Sequence, residues 1–326
     1  MLLTKLSSVK KNNPVGSFYL NQEIKGRTTL NMVWDPYFYP GSGIAKIKYQ
    51  YDDEYLQKIP HAFAESPLYQ RYLIDNRLNN MEYPGLYLFN TKQVTNTQSP
   101  KPFSREMIQS EDADKIYDFL KERILCDAGI DCHNRVFLTC SRMLNIYSNT
   151  SDYDLVVYAD RQQICKLRSV ISKLLKKGDI NLPTDSASVK LLRDSFVRNR
   201  DIFAEERYCE TFAVGPNKFS LLFVHSDILF QEKISYAFEQ VPQFFGRGIV
   251  SGHIVNADNA QYKRSESILQ TDDKKQIRVL CYHKVGTLLQ QGDHISVSGN
   301  IYTDSKNEQT ILLSSFSTDK VVWFYD

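Results

Sequence analysis

This 326-residue chain has no long apolar run, almost no net charge and few cysteines, and each shortage closes off a class of protein. Nowhere do apolar residues extend over the ~20 positions that a membrane-spanning helix needs, and the opening MLLTKLSSVKKNNPVGSF lacks the continuous apolar core of a secretory signal. The expected setting is the cytoplasm, with no membrane partner. Lys and Arg number 40 against 38 Asp and Glu, a formal net charge of +2. No global field therefore draws the chain to polyanions, and a phosphate or nucleic-acid site must come from a local cluster of cations. The six cysteines (Cys126, Cys132, Cys140, Cys165, Cys209, Cys281) are scattered through a chain too long to need disulfide staples, which suits reduced thiols. Cys126, Cys132 and His133 have zinc-ligand chemistry, but their spacing matches no common zinc pair and no second pair follows. Internal repeats and low-complexity tracts are also missing.

What is present is the composition of a soluble globular protein, 42% apolar and 24% charged, long enough for about two ordinary domains or three small ones. Three textures divide it. Residues 1–105 are rich in aromatics and turn residues (VWDPYFYPGSG, NMEYPGLYLFN), with short strands such as AKIKYQY and a helix around ESPLYQRYLIDN, and this density of Pro and Gly predicts an irregular, strand-bearing region. Residues 106–245 open with a helix signal, with Ser110 as N-cap and acids in the first turn. The buried-strand run RVFLTC and a second strand, DLVVYA, follow. Next comes RQQICKLRSVISKLLKKG, an amphipathic helix with Gly178 as C-cap. ETFAV and FSLLFVH, joined by GPNK, predict a hairpin on the same sheet. Residues 246–326 give about five short strands (GIVSGHIV, ESILQT, IRVLCYH, HISVSGNIY, TILLSS), the texture of a small OB-like β-barrel. The expected fold class is mixed α+β.

The chemistry concentrates in LTCSRMLNIYSNTSDYDLVVYAD, residues 138–160. Where a strand begins, alternation puts Asp152 and Asp154 on one side and Tyr153 on the other. Two carboxylates on one face repel unless a cation sits between them. Magnesium, which takes oxygen ligands and keeps substrate phosphate oxygens in its shell, suits that place. The preceding turn, Thr139, Cys140, Ser141 and Arg142, offers a hydroxyl and backbone N–H groups to phosphate oxygens. An isolated Asp-x-Asp before an apolar run ordinarily marks a strand entry with solvated ends. Here the small-residue turn, the spacing and the amphipathic helix that follows agree on a metal–triphosphate site.

Residues 139–158, TCSRMLNIYSNTSDYDLVVY, resemble the signature of the polymerase-beta-like nucleotidyltransferase superfamily, in which a Gly-Ser turn is followed by two acids on a strand. The whole chain looks like archaeal-type predicted nucleotidyltransferases that carry a C-terminal β-domain, on the pieces SDYDLVVYAD, GPNKFSLLFV and FFGRGIVSGHIVNA. The resemblance implies a nucleotidyltransferase-fold core. It also implies that Ser141 binds phosphate, and that Asp152 and Asp154 hold Mg2+ while a hydroxyl attacks the α-phosphate of a nucleoside triphosphate. Cys140 stands where the family usually has Gly. A third carboxylate, which in active members sits on an adjacent strand and can take the proton from the attacking hydroxyl, has no obvious counterpart, because Ser220 occupies the expected place in KFSLLFVH. Glu210 is the best substitute, ahead of Glu206 and Asp227.

Cations occur in SVKLLRDSFVRNRDIFAEER (Lys190, Arg193, Arg198, Arg200, Arg207), where a solvated helix face competes with a phosphate-facing one. In the β-domain Tyr262, Lys263, Arg264, Arg278, Tyr282, His283 and Lys284 have the chemistry to stack bases and neutralise phosphates, so RNA or DNA is a candidate partner of the barrel, while His253 reads as an ordinary strand residue. Three functions follow. The first is a magnesium-dependent nucleotidyltransferase with Asp152, Asp154 and Glu210 as its acids. The second is a degenerate nucleotidyltransferase fold acting as a nucleotide- or nucleic-acid-binding or assembly module. The third is a nucleic-acid binder acting through the barrel alone.

Overall fold

The computed structural model describes residues 15–24, 27–52, 55–58, 87–91, 94, 97–147, 151–183, 207–208, 210–226, 236–304, 306–314 and 319–324, and three sheets carry them. The aromatic-rich start of the chain forms an antiparallel sheet from β1 (Phe18–Ile24), β2 (Arg27–Tyr39), β3 (Ser42–Asp52) and β4 (Tyr55–Lys58), in the order β4-β3-β2-β1. β5 (Tyr87–Asn90) pairs with β3, and β6 (Thr97–Gln98) pairs with β1. The irregularity expected here is real but local. The β2–β3 register slips between Leu30 and Asn31, between Val33 and Asp35, and between Asp35 and Tyr39, and such bulges bend a ribbon and re-aim its side chains. The helix expected at 65–76 lies outside the described residues.

The second sheet contains β7 (Lys101–Pro102), β8 (Val136–Thr139), β9 (Tyr153–Ala159), β10 (Thr211–Val214) and β11 (Asn217–His225), in the order β10-β11-β9-β8-β7. β9 and β11 run parallel, and the other pairs are antiparallel. β7 joins this sheet from a position ahead of residue 106. Helix α1 (Ala113–Asp118) continues as a π-helical stretch, Phe119–Cys126. It begins later than the expected Ser110 cap. Asp112 takes the cap position, and Ser110 Oγ accepts from the Asp112 N–H at 3.3 Å. Two four-residue helices, α2 (Cys132–Arg135) and α3 (Cys140–Met143), precede and follow β8. The amphipathic helix is α4 (Arg161–Lys177), which buries Ile164, Leu167, Ile171 and Leu174, as its spacing predicts. A reciprocal capping box of Asp160 and Gln163 starts it, and Gly178 in left-handed conformation (φ 76°) ends it.

The third sheet closes on itself. Its strands are β12 (Gln243–Asn259), β13 (Ser265–Gln270), β14 (Gln276–Cys281), β15 (His294–Thr303) and β16 (Gln309–Leu313). They run β12-β13-β14-β16-β15, and a β12–β15 pairing completes a ring of hydrogen bonds. β14 and β16 are the parallel pair, and a 3₁₀ turn, Lys284–Leu288, links β14 to β15. Leu269, Ile277, Val279, Ile295, Val297 and Ile311 fill the interior. The short β17 (Lys320–Trp323), which the sequence pattern did not flag, adds to β15.

The sheets are tied together at named points. Phe38, Tyr39 and Ile44 of the first sheet share an apolar cluster with Phe238, Leu280, Tyr282, Tyr302 and Leu312. Burial of each such large side chain contributes about 1.5–3 kcal/mol. Tyr282 Oη donates to Asp35 Oδ2 at 2.7 Å. Between the first and second sheets, Thr139 Oγ1 donates to the Gly16 carbonyl at 2.6 Å. Gly16 has a positive φ of 83°, and a Cβ there would stand 2.8 Å from Val156, so only glycine permits the approach.

Candidate functional site

The strand register builds the site. Asp154 on β9 stands opposite Thr139 of β8 on one side and Ser220 of β11 on the other. Asp152 precedes β9 by one residue, so the two half-buried aspartates share a side of the extended chain while Tyr153 turns into the core. There the Tyr153 ring stacks on Phe219 at 5.0 Å, and its hydroxyl accepts from the Gln109 N–H at 3.0 Å.

The turn before the strand is engaged within the protein. Cys140 has a φ of 59°, in the left-handed region where glycine is favoured. The residue thus keeps a glycine-like backbone at the position where the resembling family has glycine. Its Sγ lies 3.7 Å from Met32 Sδ. Burial and the adjacent Asp154 carboxylate push the thiol up to about 12, so it is a protonated packing group and not a nucleophile. Ser141 is buried and shares a hydrogen bond with the Tyr49 hydroxyl. Arg142 donates to the Ser151 carbonyl at 3.1 and 2.8 Å, and its guanidinium lies 3.7 Å from the centroid of the Tyr153 ring. With Thr139 bound to Gly16, these residues brace the turn.

Glu210 is not beside the two aspartates as a third ligand. It is buried, accepts from Thr287 Oγ1 at 2.7 Å and lies 3.6 Å from Arg168 Nη2. Glu206 and Asp227 lie outside the described residues. The place next to Asp154 is taken instead by Lys284, whose Nζ donates to Thr211 Oγ1 at 3.1 Å and to Ser220 Oγ at 3.3 Å. Burial lowers the pKa of Lys284, while Glu210, Asp154 and Asp152 oppose that shift by favouring its charge.

Three further half-buried lysines surround it. On Lys48, burial opposes the charge, but Cys140, Asp154 and Asp152 outweigh it and hold the pKa above its ordinary value. Lys263 is pushed well below its ordinary value by burial and then by Lys284, Lys48 and Lys46. Its ammonium sits 2.9 Å from the centroid of the Trp34 ring. Lys46 and Lys48 were not singled out from the sequence, although AKIKYQY carries the signal. The two lysines stand two positions apart on β3, and the register slip opposite Leu30 and Asn31 falls at Lys48.

The barrel candidates turn out to be interior or internally bonded. Tyr262, Tyr282 and His283 are buried. Arg264 is held by Asp35 (3.4 Å), Glu266 (2.8 Å) and the Tyr37 carbonyl (3.0 Å), and Arg278 donates to Thr310 at 3.0 Å. His253 is exposed and stacks on His294 at 4.3 Å. Lys190, Arg193, Arg198 and Arg200 lie outside the described residues. Arg207, the one described member of that basic segment, forms a buried bidentate pair with Asp293 at 2.7 and 3.0 Å.

Among the described residues no three His, Cys, Asp or Glu side chains come together as metal ligands. The ammoniums of Lys48 and Lys284 are the electrostatic neighbours of the Asp152 and Asp154 carboxylates. Among the described residues, no helix is long and apolar enough to cross a membrane. No protein-family profile matches this chain, and no curated protein matches it in sequence.

Proposed function

We propose that this chain is a nucleotidyltransferase-type fold that has exchanged transfer chemistry for binding. It holds a nucleoside triphosphate by its phosphates at the lysines around Asp152 and Asp154, and serves as a binding or assembly module. The observation that carries this reading is Lys284, bonded to Ser220 on the strand neighbouring Asp154, where an active member would need its third acid. Transfer to a hydroxyl requires a base and metal charge at that point. An ammonium there supplies neither, and it repels a divalent cation.

The same arrangement favours a polyanion. Lys46, Lys48, Lys263 and Lys284 outnumber Asp152 and Asp154, and the pKa of Lys263 is lowered first by burial and then by its lysine neighbours, a repulsion that an anion relieves. The test is thermal melting with ATP in EDTA and in magnesium, alongside incubation of labelled triphosphates with cellular RNA. The expected result is stabilisation by ATP in both buffers, loss of that response in Lys48→Ala/Lys284→Ala, and no transfer of label. Magnesium-dependent transfer abolished by Asp154→Asn would reinstate the enzyme, with Asp152, Asp154 and Mg2+ in their expected roles. Absence of any ATP response would remove the phosphate site.

A second reading is favoured by the outer surface of the barrel. Phe245 and Ile249 on β12 are each 73% exposed, and the His253–His294 stack continues to Phe324 at 4.7 Å. The ring order with one parallel pair supports an OB-type barrel, and exposed rings stack on bases of single-stranded RNA or DNA. Binding of a single-stranded oligonucleotide that weakens steeply with salt, survives Asp152→Asn/Asp154→Asn and fails in Phe245→Ala would support it.

A further inference from the structure

Where β2, the far end of β11 and the loop entering β13 meet, they line a half-open cavity of about 240 Å3. Its wall includes Trp34 and Tyr37 from the first sheet, His225 from the second, and Tyr262 and Lys263 from the loop, with Asn259 and Glu266 adding polar groups. The residues that shape it are fixed. Trp34 Nε1 donates to the Tyr282 carbonyl at 3.3 Å, the His225 and Tyr262 rings lie 5.0 Å apart, and Arg264 is locked between Asp35 and Glu266. Aromatic walls with a few placed polar groups are the makeup of a preformed site for a planar heterocycle. The volume lies below the roughly 300–1,000 Å3 of sites for drug-sized ligands, so it has room for a single ring system and not for a whole triphosphate.

Lys263 joins this cavity to the carboxylate–lysine site. Its ammonium lies over Trp34 in the cavity wall and is electrostatically coupled to Lys48 and Lys284. Along β11 the cavity residue Val224 is four positions from Ser220, about 13 Å at strand rise. That distance suits an extended nucleotide with its base at one end and its terminal phosphates at the other. We infer that the cavity is a nucleobase site, holding the heterocycle of the nucleotide whose phosphates reach Lys48 and Lys284. This rests on the phosphate-binding reading above. Asn259 offers both an amide donor and an acceptor, and Glu266 an acceptor, for the polar edge of the base.

The test is isothermal titration of the full chain, in EDTA, with inorganic tripolyphosphate, the four ribonucleosides and the four ribonucleoside triphosphates. At least one triphosphate is expected to bind ten-fold or more tightly than tripolyphosphate. Asn259→Trp, a plug introduced from an exposed position, is expected to erase that increment and leave tripolyphosphate binding within two-fold. Trp34→Leu attacks the same site from another wall, and circular dichroism checks the folding of both variants. If tripolyphosphate binds through the lysines and no triphosphate exceeds it, the base site is overturned and the phosphate site stands. If a nucleoside binds in an Asn259→Trp-sensitive way while tripolyphosphate does not bind, the base site stands and the phosphate reading falls. If none of the compounds binds, both fall.

Discussion

Ser220 and Asp154 stand opposite each other on the parallel strands β11 and β9, and the Ser220 hydroxyl receives Lys284 Nζ at 3.3 Å. A serine at this one position lets the barrel's lysine enter, and groups with catalytic chemistry become the means of docking one domain on another. Lys284 bonds Thr211 and Ser220, Thr287 bonds Glu210, and the Thr287 carbonyl accepts from Arg168 at 2.8 Å. Charge at the site and seating of the barrel are therefore the same set of contacts.

Returning an acid to position 220 tests that exchange. In Ser220→Asp the new carboxylate is expected to pair with Lys284, and magnesium leaves the melting temperature unchanged. In Ser220→Asp/Lys284→Ala three carboxylates lose their nearest compensating cation, so magnesium is expected to stabilise the protein, by about 2.7 kcal/mol at a hundred times the dissociation constant. A double variant indifferent to magnesium would mean that position 220 does not control the charge of the site.

Cys140 offers a second test, because its φ of 59° and its buried thiol pull in opposite directions. Cys140→Gly relieves about 1–2 kcal/mol of left-handed strain but loses side-chain packing and gains chain entropy in the unfolded state. Its stability is expected within about 1 kcal/mol of the parent. Cys140→Val puts a β-branched residue in the same conformation and is expected to cost more than about 2 kcal/mol. Urea unfolding measures both, and equal stability of the two variants would refute the strain. With its pKa pushed up to about 12, the native thiol is also expected to resist iodoacetamide at pH 8.

Local signals were legible in the sequence and distant ones were not. Helix α4 could be read because its apolar stripe and terminal glycine lie within 18 consecutive positions, Arg161 to Gly178. The β10–β11 hairpin and the five ring strands likewise announce themselves by turn chemistry and alternation. In β2 the register slips around Asp35 break the period of two, so a long strand read only as part of an irregular, strand-bearing region. Glu210 and Arg207 have the chemistry of site residues, but what they do depends on Thr287 and Asp293, 77 and 86 residues away. Lys284 lies 64 residues from Ser220, and only the folded barrel brings them together.

The Arg207–Asp293 pair is expected to be among the strongest single contributors to stability. Both side chains are buried, and Asp293 also accepts from Trp323 Nε1 at 3.1 Å and from the Gln290 N–H at 2.9 Å. Arg207→Ala strands a buried carboxylate and is expected to cost about 3–5 kcal/mol. Asp293→Asn keeps the acceptor and is expected to cost less. Chemical denaturation decides it, and a loss under about 1 kcal/mol for Arg207→Ala would show that the pair is solvated in solution.

His283 predicts how stability responds to acid. Burial, then Lys46 and Lys263, push its pKa down to about 3 from an ordinary value of 6.5. The folded protein keeps the imidazole neutral where the unfolded chain would protonate it. The unfolded state thus binds the extra proton between these values, and the contribution of His283, complete above pH 6.5, declines as pH falls toward 3. One proton corresponds to about 1.4 kcal/mol per pH unit. Carboxylates also lose their contributions in acid, but they are common to parent and variant. The comparison is therefore between the two slopes: from pH 6 to pH 4 the parent is expected to lose stability more steeply than His283→Asn by close to one proton. Parallel slopes would place the imidazole in contact with solvent.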